Sequence, residues 1–146
     1  MDLWLEVVIG FALAVVSIFI IRQVYPKKDH AFWRVGLVIA ALIYVGFALA
    51  FGANMGWIII ELSGFAFYLF FAFLSKRVNL LFLAVGWGLH VLWDILLHGT
   101  SESAFVPDWY PGMCLGFDIA IAAYVLYVVR ERKGSEGVEM KMEMEM

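Results

Sequence analysis

The chain has 146 residues and a net charge of −3; 64% of it is hydrophobic and 17% aromatic, with a mean hydropathy of +0.91. A soluble domain is about 45–50% apolar, so the composition points to an integral membrane protein with no separate water-soluble domain. The single cysteine, Cys114, excludes an intramolecular disulfide and any multi-cysteine zinc or iron–sulfur site, and the sparse Lys and Arg leave no nucleic-acid footprint.

About 20 apolar residues span the hydrocarbon core of a bilayer, and five stretches qualify, near 3–22, 33–53, 55–75, 78–98 and 110–129. The chain opens Met1, Asp2 rather than with the basic region of a cleavable signal peptide, so the first stretch is expected to persist as a helix. It ends at Arg22, and Pro26 helps to break the following polar turn. The second ends at Phe51, Gly52, Ala53 and Asn54, a turn short enough to demand a tight antiparallel hairpin. The third runs to Lys76 and Arg77, and the fourth to Gly99, a natural helix stop. A loop over 100–111 precedes the fifth. After Lys133 the Met/Glu-rich segment 134–146 is low in complexity and reads as disordered.

Orientation follows from the basic residues. All 10 Lys and Arg lie in the first loop, the third loop or beyond the fifth stretch, so five helices put every one on the same side. Four or six helices would split them. The expectation is an all-α bundle in the cell membrane, N-terminus outside and C-terminus cytoplasmic, with membrane lipid as its partner and homo-oligomerisation left open.

Into this apolar background the fourth stretch places Gly-Trp-Gly-Leu-His-Val-Leu-Trp-Asp-Ile-Leu-Leu-His, carrying His90, Asp94 and His98. Helical residues four apart share a face, so the three form a polar stripe. Ionisable groups in a membrane segment cost about 2.5–3.5 kcal/mol each on insertion scales and mark functional sites by default. At about 1.5 Å per residue, Asp94 lies about 6 Å and His90 about 12 Å below His98, with Asp118 about 12 Å and Glu61 about 9 Å below the same surface. Glu6 is expected to face solvent. The inner half of the membrane then holds no ionisable group.

Each residue has a bland reading. His90 suits a hydrogen-bonded core histidine, and His98 a solvated interfacial one. Asp94 can accept from a tryptophan N–H or pair with a histidine. Glu61 and Asp118 can be protonated acids bonded to carbonyls. Taken together, three carboxylates facing only histidines must share protons, pair with histidinium or bind a cation. Imidazole and carboxylate donors suit a divalent transition metal, zinc first and iron or manganese as variants, better than calcium or magnesium. The ligands would be His90, Asp94, His98 and Asp118. Glu61 would be the general base for a water whose pKa zinc lowers to about 7. Cys114, four residues before Asp118, is either an accessory group or a small apolar filler; Asp108 in the loop is the other accessory candidate. Gly64, Gly86 and Gly88 offer close helix approach. The tryptophans of the outer half suit an aromatic belt or the wall of a lipid-sized pocket.

The pattern His90-x3-Asp94-x3-His98, a Pro- and Trp-containing loop, then Cys114-x3-Asp118 resembles a family of small prokaryotic membrane proteins of unknown function, over roughly 84–125. The layout is also partly similar to alkaline-ceramidase-related intramembrane metal hydrolases, which hold zinc with histidines and an aspartate near one membrane face. It departs from that pattern in having five helices rather than seven, two membrane histidines, and no serine or third-histidine partner. The expected activity is metal-dependent hydrolysis of a lipid or amphipathic substrate at the outer leaflet. The alternative is a non-enzymatic cation or proton pathway, or an accessory subunit, using the same cluster.

Overall fold

A run of about twenty apolar side chains satisfies its own backbone polar groups best as a helix, because every N–H and C=O then bonds within the segment. The computed structural model follows this rule, describing residues 2–26, 28–99 and 104–145. Lys27 of the first loop, Thr100, Ser101, Glu102 and Ser103 of the fourth, and Met146 of the terminal segment lie outside the described residues.

The elements are α1 (Leu3–Val24), α2 (Asp29–Ala50), α3 (Met55–Arg77), α4 (Leu81–Trp93), which continues as a π-helical turn (Asp94–His98), and α5 (Tyr110–Glu145). Five helices are long and apolar enough to cross a membrane. Between α2 and α3, Gly52 takes φ 72°, the left-handed conformation that closes a helix C-terminus. Two residues on, the Asn54 side chain caps α3 by accepting from the Trp57 N–H at 3.1 Å.

Two segments differ from expectation. α2 starts at Asp29 rather than near 33, so Asp29 and His30 form its first turn, where a carboxylate is favoured by the helix dipole. α5 continues as helix to Glu145 through the segment read as disordered. Met, Glu and Lys are good helix formers, and the exposed Met140, Met142 and Met144 show that propensity, not packing, shapes this end.

The helices pack in the order α1, α5, α4, α3, α2, with α4 in the middle and α1 and α2 scarcely touching. The arc is therefore open between α1 and α2. Its tightest seam joins α1 to α5. Gly112, Gly116 and Ala120 recur every four residues on α5, as Gly10 and Ala14 do on α1, the spacing that lets helix backbones meet. A Cβ on Gly10 would land on the Met113 carbonyl oxygen, and one on Gly116 on the Val7 carbonyl oxygen. The same closeness turns Glu6 over Gly112 and buries it, against the expectation that it faces solvent. Gly64 and Gly86 also sit under neighbouring side chains, Trp93 and Leu37. Gly88 has nothing within 4 Å of a would-be Cβ, so it is not a contact position.

Candidate functional site

The α4 stripe is buried on the middle helix of the arc, where α3 supplies Glu61, α2 supplies Tyr44 and α5 supplies Asp118. His90, Asp94 and Asp118 are 0%, 1% and 2% exposed, and one ligand atom of each lies within 4.8 Å of the others. His90 Nδ1 is 2.7 Å from Asp118 Oδ2 and 3.6 Å from Asp94 Oδ1. The Tyr44 hydroxyl donates to Asp94 Oδ1 at 2.6 Å. Below the imidazole lies the Tyr68 ring, 4.8 Å away, its hydroxyl donating to the Leu89 carbonyl at 3.1 Å.

His98 goes elsewhere. The π-helical turn inserts extra backbone between Asp94 and His98, so the ring leaves the His90–Asp94 face; such turns are frequent at functional sites. His98 Nε2 lies 3.1 Å from Glu61 Oε1, at an angle too poor for a hydrogen bond. The other Glu61 oxygen accepts from the Trp93 indole at 3.4 Å, an approach allowed because Gly64, one turn along α3, has no side chain beneath the indole. His98 is 6% exposed rather than solvated. Tyr44 stacks on it at 4.3 Å, Phe105 meets it edge-on, and Trp57 covers its flank. Phe105 and Val106 are buried residues of the α4–α5 loop, so the loop folds back as an apolar cap.

The structure therefore divides the sequence-derived residues into a His90–Asp94–Asp118 triad and a Glu61–His98 pair, with Tyr44 joining them. Cys114 is half-buried beside Tyr44 and Tyr110. Asp108 is exposed on the loop and belongs to neither group. Tyr44 was not singled out from sequence, although it is the one hydroxyl-bearing side chain of α2. Replacing Tyr44 by Phe keeps the ring over His98 but removes the bond to a buried carboxylate, and bonds to charged groups are worth about 1.5–3 kcal/mol. A melting temperature in detergent clearly below wild type is expected. An unchanged one would mean Asp94 does not depend on this bond.

Several buried polar atoms have no hydrogen-bond partner among the described residues, including His90 Nε2, Asp94 Oδ2 and His98 Nδ1. Unsatisfied buried groups are uncommon and call for a ligand, water or ion. Lys and Arg are absent from 35–75 and from 78–129, so no basic side chain of those stretches offsets the carboxylates. A divalent cation would. Two aspartates and one neutral imidazole around such an ion carry no net charge, the cheapest electrostatic arrangement in an apolar interior. One nitrogen and carboxylate donors on three residues fit zinc, iron or manganese with positions left open.

On the α1/α2 side, an apolar cleft of ≈ 300 Å³ runs from Trp33 on α2 to Tyr110 on α5, and Cys114 and Asp118 lie in its wall. A second polar cluster lies at the basic end. The buried Asp29 accepts a short hydrogen bond from the Tyr124 hydroxyl, and His30 Nδ1 is 3.3 Å from both Asp29 Oδ1 and Arg132 Nη2. The sequence reading placed Asp29 and His30 in the polar turn outside the spanning stretches, whereas they form the first turn of α2. Trp33 and Trp87, each 1% exposed, fill the space between the clusters, the Trp87 indole donating to the Trp33 carbonyl at 3.2 Å.

The fold and site thus define an all-helical bundle, five of its helices long enough to cross a membrane, around a buried histidine–aspartate centre able to hold a metal. The chain belongs to the family of unknown function DUF6010, which matches residues 5–131. No curated protein and no solved structure matches it significantly.

Proposed function

We propose that this chain is a multi-pass membrane protein, N-terminus outside and C-terminus cytoplasmic, that works as a metal-dependent hydrolase on a lipid or amphipathic substrate. The observation that carries the proposal is the convergence of His90, Asp94 and Asp118 within 4.8 Å at 2% exposure or less. These three would hold the ion. His98, placed against Glu61, leaves the ligand set expected from the sequence. A divalent ion bound here would supply Lewis acidity and a water acidic enough to ionise near neutral pH.

The protein's own groups do the rest. Glu61 is the base, kept in place by the Trp93 indole and by His98 at 3.1 Å. Tyr44 fixes Asp94 from one side and His98 from the other. Phe105 and Val106 keep bulk water out of the centre, which strengthens every charge interaction within it.

Elemental analysis of detergent-purified protein tests this directly. Near-stoichiometric zinc, iron or manganese is expected in the wild type, lost in His90→Ala and Asp94→Ala and retained in His98→Ala. No metal in the wild type, even after reconstitution, would remove the hydrolase proposal.

A second reading, cation or proton translocation, is favoured by one observation, the Asp29–Tyr124–His30 cluster, which places ionisable groups at both ends of the bundle. Opposing it is the Trp33–Trp87 layer between them. Proton flux in liposomes, abolished by Asp29→Asn, would favour translocation over hydrolysis.

A further inference from the structure

The cleft between α1 and α2 is walled almost wholly by apolar side chains, Leu13, Ile39, Ile43, Met113 and Phe117 among them. Asp118 is one of its lining residues but is only 2% exposed, its carboxylate bonded to His90 at 2.7 Å. The rim lies on the apolar outer faces of the two helices, where Leu13 and Ile39 are 48% and 50% exposed. Whatever enters therefore comes sideways from an apolar phase and meets an apolar wall.

Size narrows the choice. A helix with its side chains is about 10–12 Å across and does not fit a cleft of ≈ 300 Å³. A single aliphatic chain is much narrower than a helix and can enter. A chain already in hydrocarbon gains little from burial alone, since lipid tails are as apolar as Leu. Selection must then come from shape.

We propose that the α1/α2 cleft takes a single acyl chain of a membrane lipid laterally, bringing that lipid up to α5, the helix that carries Asp118. The inference rests on the proposed function for the chemistry that follows, but chain entry stands on the cleft alone and is tested apart from turnover.

The probe is phosphatidylcholine with a photoactivatable diazirine in its acyl chain, doped into phosphatidylcholine nanodiscs holding the full-length protein, with labelled residues mapped by mass spectrometry. Met113 and Phe117 are only partly accessible on the cleft wall, so label there reports a chain inside, whereas label on exposed residues such as Leu69 reports the surrounding lipid. The wild type is expected to be labelled at Met113 and Phe117. Leu13→Trp and Ile39→Trp, which fill the mouth from half-exposed positions, should lose that label, and Leu69→Trp on α3 should keep it. Absence of label at 113 and 117 while Leu69 is labelled, or label indifferent to the rim tryptophans, would overturn the proposal. So would its replacement by cross-links between two copies of the chain, which would make the cleft a subunit contact. Label without bound metal would keep the cleft and remove the hydrolase; metal without label would do the reverse.

Discussion

Gly116→Leu is expected to detach α1 from the bundle. The clash is with backbone: a Cβ at 116 would overlap the Val7 carbonyl oxygen and lie 2.8 Å from both the Phe11 nitrogen and the Val7 carbonyl carbon. A side-chain neighbour can rotate aside, but a helix backbone cannot, so α1 must move away as a unit. Almost all the packing of α1 is against α5, and scarcely any against α2. Once the seam opens, little holds α1 in place. The loss should exceed about 4–5 kcal/mol, the level at which a single substitution is exceptional, and Gly116→Ala should show a smaller loss of the same kind. Gly46→Ala is the control. Nothing lies within 4 Å of a Cβ there, so removing a mid-helix glycine should leave stability unchanged or raise it by about 0.5–1 kcal/mol. Melting in detergent, with limited proteolysis of the α1–α2 loop, reads all three. A Gly116→Leu protein that melts with the wild type would mean that α1 is not held through this seam.

That seam shows where sequence reading stops. Hydropathy and turn residues were enough to locate five helices, because each is a run about as long as a bilayer is thick bounded by Gly, Pro, Asn or charge. The Gly112–Gly116 spacing was in view but silent, since periodicity shows which residues share a face and not which helix that face meets. The same limit separates His90 from His98. Four-residue spacing puts both beside Asp94 in an ideal α-helix, and it is the π-helical turn, which spacing does not foretell, that sets His98 against Glu61. Tyr44 escaped notice because a tyrosine in an apolar run is ambiguous until its hydroxyl is seen to reach a partner. Asp29 escaped because it was placed in a loop, and four residues of extra helix make it a buried group. What the sequence carries is chemical: ionisable side chains in apolar runs without basic partners, three of which, His90, Asp94 and Asp118, the structure brings together in a buried group.

The second large effect is expected from the His90–Asp118 contact itself, and its size should report the charge state of the centre. Replacing one partner, as in His90→Leu or Asp118→Leu, leaves the other buried without its 2.7 Å contact. If the pair is ionised, each single substitution should cost about 3–5 kcal/mol, and the double variant should cost less than the sum, because neither member of the pair is then left without the other. If the contact is a neutral hydrogen bond between membrane helices, coupling should be near the average of about 0.6 kcal/mol and not above about 1.7 kcal/mol. We expect coupling above about 2 kcal/mol in metal-free protein, since Asp94 lies 3.6 Å from the same nitrogen and adds a second carboxylate to the imidazole's surroundings. A double-mutant cycle by reversible unfolding in mixed micelles measures it, with chelator present throughout so that lost metal does not inflate the single variants. Coupling at or below the neutral range would mean that His90 and Asp118 share a proton without separating charge. In either charge state the pair carries the same dissociable proton, which a cation must displace, so metal binding should strengthen as pH rises.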